Sequence, residues 1–344
     1  MTALLQARDL CKHFPIRKGF LLREAGQVKA VDGVSFEVQA GETLGLVGES
    51  GCGKSTLGRT LVRLYEPTAG SIAYKGEDFL ALRGERLRSM RRNIQMIFQD
   101  PFASLDPRMT VGQILSEPFK VHDVCPPGER QARAKALLET VGLKSSYLNR
   151  YPHEFSGGQR QRISIARAMA LNPELVIADE PVSALDVSIQ AQILNLLKDL
   201  QKEFQLTYVF ISHDLSVVDH FCDRVAVMYL GRIVEIAPKE ELFSNPRHPY
   251  TQALIEAIPR VGSGKKKMKA ALAGEVPSPI APPSGCHFHP RCPKRHEGCD
   301  VDFPALVETG LNHRVACRLY GTAAGPAGAA GSRAPAPGPQ ESAA

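Results

Sequence analysis

The stretch VDGVSFEVQAGETLGLVG alternates apolar and polar positions through Val34, Phe36 and Val38, a period of two that predicts a strand with one buried face. The run TLGLV within it is apolar almost throughout, as expected of a strand covered on both faces. ALLQARDLCKHFPI upstream reads as a further strand region broken by turn residues. A helix is expected from Lys54 to about Leu64, a turn and a strand in PTAGSIAY, and a strand ending near Phe98 in RRNIQMIFQD. Residues 99–170 read as mostly helical, with GERQARAKALLETVGL the clearest amphipathic segment. PELVIADEP returns to a buried strand and VSIQAQILNLLKDLQKEF is a long helix. LTYVFISHD is a strand, LSVVDHF a short helix, and RVAVMYLGRIVEIA a pair of strands around Gly231. Strands alternating with helices predict an α/β fold whose sheet is largely parallel at its centre. The helical stretch is expected to be an inserted subdomain.

After Pro259 the pattern stops. GSGKKKMKAALAGEVPSPIAPPSG is a linker by composition, and a cysteine-rich segment follows to about Tyr320. The tail, residues 321–344, has too few large apolar groups to fold and is expected to be disordered. The expected division is therefore 1–258, 259–320 and 321–344, without internal repeats.

Composition narrows the class. At 344 residues with 43% apolar and 23% charged residues, the chain can bury a sizeable core. A formal charge of +6 is mild, and Trp is absent, so no base-stacking platform is visible and no nucleic-acid partner is expected. No run approaches the roughly 20 apolar residues of a membrane span, and no signal peptide is read at the N-terminus. Eight cysteines in such a chain are expected to be thiols or metal ligands rather than disulfides. Cys11, Cys52, Cys125 and Cys222 are scattered and read as free thiols.

GESGCGKST carries chemistry. Gly48-x4-Gly53-Lys54-Ser55 follows a buried strand and opens a helix, the context a phosphate-binding loop requires. Backbone N–H groups across Gly48, Ser50, Gly51, Cys52, Gly53, Lys54, Ser55 and Thr56 can point at phosphate oxygens, and the helix N-terminus adds its positive end. Lys54 supplies a charge to the terminal phosphates and Ser55 a hydroxyl for Mg²⁺. In LVIADE, Asp179 ends a buried strand and is the second expected Mg²⁺ ligand. Glu180, one residue on, is placed to orient or deprotonate an attacking water.

Ser156-Gly157-Gly158-Gln159 begins a helix about twenty residues before Asp179. Between a phosphate loop and an acidic strand, this resembles the signature of ATP-binding cassette (ABC) ATPases. Gln99 after QMIF resembles the Q-loop glutamine, SALD with Asp186 the D-loop, and His213 in ISHD the switch histidine. Phe14 resembles the aromatic that stacks on adenine. The resemblance covers about residues 1–258 and implies a P-loop NTPase fold: a RecA-like core sheet, a helical subdomain and an antiparallel β subdomain. It also implies that Ser156, Gly157, Gly158 and Gln159 close over the phosphate loop of a second subunit. ATP then bridges two chains until hydrolysis weakens the bridge. Glu180 is implied as base, His213 as a γ-phosphate contact, and Gln99 as a sensor of Mg²⁺ and water.

FQDPFASLDPRMTVGQIL and HPYTQALIEAIP resemble the oligopeptide/dipeptide (peptide/nickel) importer branch, in particular its F-type ATPase subunit. That branch implies import of di- or oligopeptides, with nickel or another small solute as the alternative cargo. A soluble ABC protein acting on ribosomes or DNA is disfavoured by the single phosphate loop and the lack of a heptad run. The implied partners are two transmembrane permease subunits and a second cassette, here a related but different chain, with a solute-binding protein acting indirectly. The implied location is the cytoplasmic face of the inner membrane. Phe102, Leu105 and Met109 are expected to be exposed and to suit a permease coupling helix.

The remaining cysteines are spaced Cys286-x5-Cys292-x6-Cys299-x17-Cys317. That is not the paired C-x2-C of zinc ribbons. Four thiolates can hold a [4Fe–4S] cluster, or one or more can bind zinc with His287 and His289. The importer resemblance favours the iron–sulfur cluster. In either case the centre would staple a segment too small to fold on its own core.

Overall fold

The computed structural model of the protein describes residues 3–19, 23–258 and 274–321. The tail expected to be disordered, beyond Gly321, and the lysine-bearing first half of the linker lie outside the described residues. Among the described residues twelve strands are present: β1 (Leu5–Lys18), β2 (Arg23–Val38), β3 (Thr43–Val47), β4 (Ala69–Tyr74), β5 (Glu77–Asp78) and β6 (Ile94–Ile97); then β7 (Leu175–Asp179), β8 (Thr207–Ser212), β9 (Arg224–Tyr229), β10 (Arg232–Pro238), β11 (Val307–Gly310) and β12 (His313–Val315). They form two sheets. One is four-stranded and antiparallel, in the order β2-β1-β4-β5. The other has eight strands in the order β11-β12-β10-β9-β3-β8-β7-β6. It is parallel from β6 to β9 and antiparallel beyond.

The apolar runs are continuous because the central sheet is covered on both faces. Successive residues of one strand enter two different cores. Val176, Ala178, Tyr208, Phe210, Val225 and Val227 join the core shared with the helical subdomain. Their neighbours Leu175, Ile177, Val209, Ile211, Ala226 and Met228 join the core under the antiparallel sheet. The helical region comprises Pro101–Ser104, Val111–His122, Arg130–Thr140 and Gly157–Met169. Within it the structure corrects one expectation. Leu105 is 1% exposed and Met109 packs against the core, because both join the apolar cluster that the helical region shares with the sheet; only Phe102, 63% exposed, faces solvent.

The C-terminal segment completes the main sheet. β12 pairs with β10, and the Ala316 N–H donates to the Val234 carbonyl at 2.8 Å. Phe288, fully buried, lies against the rings of Tyr229, Tyr250 and His248. Glu235, also fully buried, accepts from the Arg247 N–H, the His248 N–H and His313 Nε2 at 2.7, 2.9 and 2.7 Å. A buried carboxylate needs such partners. The segment with no core of its own therefore folds by borrowing the sheet edge and core of the rest. Among the described residues, no helix is long and apolar enough to cross a membrane.

Candidate functional site

The phosphate loop leaves β3 and enters the helix Lys54–Leu61 at Gly53, whose φ of 108° lies in the left-handed region. A Cβ there would sit 1.9 Å from the Ala30 carbonyl oxygen, so only glycine fits. Lys54 is buried. Its Nζ donates to the carbonyls of Gly48 (2.7 Å) and Glu49 (2.9 Å), folding the loop around its own cation. Phe14, Ser50, Gly51, Cys52, Gly53, Lys54, Ser55, Thr56, Gln99 and Glu180 line one pocket; Gly48, Asp179 and His213 are not among its lining residues. Val28, Lys29, Ala30, Leu230, Gly231 and Pro279 complete it. Phe14 is half-buried and meets Tyr65 edge-on, with ring centres 5.4 Å apart.

Asp179 ends β7 with no exposed surface. Its Oδ1 accepts the Ser55 hydroxyl at 2.8 Å, while Oδ2 is buried and has no hydrogen-bond partner. Burial pushes its carboxyl above the usual aspartate value, against the lowering effects of Ser55 and Arg59. Arg59 Nη2 stands 3.9 Å from Oδ2, beyond hydrogen-bond reach, and a buried carboxylate oxygen that lacks a hydrogen bond, beside a hydroxyl, suits a hard divalent cation such as Mg²⁺. Glu180 follows with φ 46°, a left-handed conformation uncommon outside glycine and a mark of functional sites. Its Oε2 lies 3.1 Å from both Gln99 Nε2 and His213 Nδ1. Three residues from three separate strand ends thus meet on one carboxylate.

Ser156, Gly157, Gly158, Gln159 and Asp186 are not among the residues lining this pocket. Ser156 and Gln159 form a reciprocal capping box, which spends the Gln159 N–H and leaves those of Gly157 and Gly158 at an open helix start. A Cβ on Gly158 would come within 2.6 Å of Ile189 Cγ2. Asp186 is exposed at the start of the helix Val187–Phe204, beside Val187 at 81% exposure.

The cysteines of the C-terminal segment converge. Cys286, Cys292, Cys299 and Cys317 line a second, smaller pocket with His248, Phe288, His289 and His296. All eight cysteines are free. His287 points elsewhere, its ring donating to the Leu230 carbonyl at 3.1 Å. Burial pushes the Cys286 thiol up to about 11, and the other three thiols add to the rise. Burial likewise raises the thiols of Cys292 and Cys317, and a metal held here would have to displace such protons. Zinc bound by thiolates at about 2.3 Å needs sulfurs roughly 3.8 Å apart. Among the described residues, no three donors of this pocket lie within 4.8 Å of one another. His248 supplies an independent sign. Its Nδ1 accepts the Tyr250 N–H at 3.1 Å, and burial lowers its pKa to about 4. The neutral ring then carries its proton on Nε2, which is buried without an acceptor. Anionic sulfur in the pocket would provide one.

A different group of donors closes on itself. Cys11, His13 and Asp32 place ligand atoms within 4.8 Å of one another. Asp32 is already bonded to His13 at 3.0 Å and forked by Arg232 at 2.7 and 3.1 Å. Tyr250, Arg291 and Pro279, which touch or line the phosphate-loop region, escaped sequence reasoning because nothing local marks their contacts.

The family described as ABC transporter matches residues 31–183, and the oligopeptide/dipeptide transporter C-terminal region matches residues 234–299. The oligopeptide transport ATP-binding protein AppF of Bacillus subtilis is 59% identical over 320 residues, 92% of this chain and 97% of that protein. The dipeptide transport ATP-binding protein DppF of Escherichia coli is 53% identical over 314 residues, 91% of this chain and 93% of that protein. Among solved structures, the ATP-binding cassette MJ0796, a dimer in a post-hydrolysis state bound to ADP and Pi, superposes with a TM-score of 0.61. It is 29% identical, over 68% of this chain and 98% of that one.

Proposed function

This chain belongs to the ABC transporter family, among its oligopeptide/dipeptide ATP-binding proteins, and on that premise we propose that it hydrolyses ATP to power peptide import through a separate permease. One observation carries the reading. Glu180 is gripped by Gln99 and His213 beside the phosphate loop, while the signature residues stand outside that loop's own pocket. Such a site needs a second cassette to close it. The dimeric cassette that this chain resembles supports that arrangement.

ATP lies with its base near Phe14 and its phosphates in the loop from Gly48 to Thr56. Ser55 and Asp179, with Gln99 nearby, would hold Mg²⁺, which neutralises charge on the terminal phosphates. Water attacks the γ-phosphorus as the bond to the β–γ bridging oxygen breaks. Glu180 takes the water's proton, and His213 steadies the γ-phosphate. Ser156, Gly157, Gly158 and Gln159 of the facing cassette, with its Asp186, seal the far side. The release of ADP and phosphate reopens the pair.

The division into a cassette over 1–258 and an extension over 259–320 supports a distinct role for the extension. Cys286, Cys292, Cys299 and Cys317 would hold a [4Fe–4S] cluster as a structural staple, with His248 donating toward it. The chain sits at the cytoplasmic face of the membrane. There, exposed Phe102, under the Arg160 guanidinium at 3.8 Å, is offered to a permease subunit. The other cassette is a related chain.

In reconstituted vesicles holding chain, partner cassette and permease, peptide-loaded solute-binding protein should raise ATP turnover. Turnover indifferent to peptide and raised by nickel would reassign the cargo. Chain purified without oxygen should carry about four irons, and Cys286→Ser/Cys292→Ser should abolish them. Stoichiometric zinc without iron would overturn the cluster.

A further inference from the structure

We propose that the C-terminal extension forms part of the nucleotide site, and that Arg291 is a positioning residue that holds the phosphate loop through Glu49. The contact is a fork. Arg291 Nη1 donates to Glu49 Oε2 at 2.8 Å and Nη2 donates to Oε1 at 3.2 Å. Nη1 also reaches the Tyr229 hydroxyl at 3.3 Å, and the Arg291 side chain is only 5% exposed. Two-point guanidinium–carboxylate pairs fix orientation as well as charge.

Four further hydrogen bonds tie the same region to the extension and the segment before it. The Glu49 N–H donates to the Tyr250 hydroxyl at 2.8 Å. His287 of the extension donates to the Leu230 carbonyl, and the adjacent Gly231 N–H donates to the Cys52 carbonyl at 2.9 Å. The Lys29 N–H donates to the Pro279 carbonyl at 3.2 Å, which sets Pro279 as a wall of the nucleotide pocket. Loop residues 49 and 52 are thus held from outside, while Lys54 holds the Glu49 carbonyl from inside.

The physical need is plain. A carboxylate in a loop that receives a triphosphate repels its ligand. Arg291 cancels that charge and draws the Glu49 side chain to the extension. The fork sits at the end of the short turn His289–Arg291, between Cys286 and Cys292, so the fold of the cysteine segment sets where the guanidinium lies. A cassette without this segment would need another means of quieting Glu49.

The inference rests on the ATP reading of the pocket, and the test separates the two. Nucleotide affinity of the full-length chain is measured for wild type, Arg291→Met, Arg291→Met/Glu49→Gln and Lys54→Ala. Arg291→Met should weaken ATP binding on the order of tenfold, the scale of two unit charges interacting across roughly 10 Å at an effective dielectric near 20. Adenosine binding should change much less. The double variant should bind ATP more tightly than Arg291→Met alone, because the stranded carboxylate is gone. A role limited to holding the fold would give no such recovery. In turnover, the loss should appear in KM with kcat nearly unchanged. ATP affinity within twofold of wild type in a folded Arg291→Met, or no recovery in the double variant, overturns the proposal. Unchanged ATP affinity in Lys54→Ala would instead overturn the ATP site.

Discussion

Replacing Gly53 by alanine tests how tightly the phosphate loop is seated. The new Cβ would fall 1.9 Å from the Ala30 carbonyl oxygen and 2.9 Å from Met228 Cε. The Met228 tip can swing away. The Ala30 carbonyl cannot, because it belongs to β2, which is paired along β1. The loop must therefore move by more than an ångström. Left-handed backbone at φ 108° adds about 1–2 kcal/mol of strain for an L-residue, and overpacking adds roughly 1–3 kcal/mol. Gly41→Ala is the control. It has φ 78° with nothing within 4 Å of its Cβ, so it carries strain alone. Denaturant melts and titration with a fluorescent ATP analogue on both variants divide the terms. Gly41→Ala should lose about 1–2 kcal/mol and keep ATP affinity. Gly53→Ala should lose about 2–5 kcal/mol in all. It should also lose roughly 100-fold in ATP affinity, the scale of a one-ångström misplacement of binding groups. If Gly53→Ala bound ATP within threefold of wild type, the reasoning from close approach would fail.

Glu180→Gln should bind ATP, trap a closed cassette pair on size-exclusion chromatography, and lose at least about 100-fold in turnover; undiminished turnover would remove Glu180 as the base. Ser156→Ala with Gly158→Ala in every cassette copy should stop hydrolysis and spare ATP binding to the single chain, and normal hydrolysis would sink the two-chain pocket. His248 has a folded pKa of about 4 against 6.5 when free, so the unfolded chain binds more protons between those values. Its contribution to stability is complete above pH 6.5 and is lost as pH falls toward 4, by up to about 3 kcal/mol at 1.36 kcal/mol per unit. His248→Asn, which keeps a cap for the Tyr250 N–H, should lose less stability over that interval in metal-free chain; equal losses would place the acid sensitivity elsewhere.

Much of this architecture was written in local patterns. The long amphipathic run became the helix Val187–Phe204, and LTYVFISHD became β8, because periodicity and burial act over one or two turns of chain. The phosphate loop and the Asp179–Glu180 pair were legible for the same reason: each depends on near neighbours along a strand, a turn and a helix. Short pieces were not. β11 and β12 have four and three residues, too few for a period to show, and they exist because β10 offers an unpaired edge. Leu105 read as surface because its hydrophobicity carries no direction until the core of the helical region closes around it. The meeting of Glu49 with Arg291 spans 242 positions. No local rule pairs two charges at that separation. Composition and spacing could name the nucleotide chemistry, since phosphate binding is done by a short run of backbone. Which distant side chains brace that run depends on how sheet edge, aromatic core and cysteine segment pack together, and packing is a property of the folded whole.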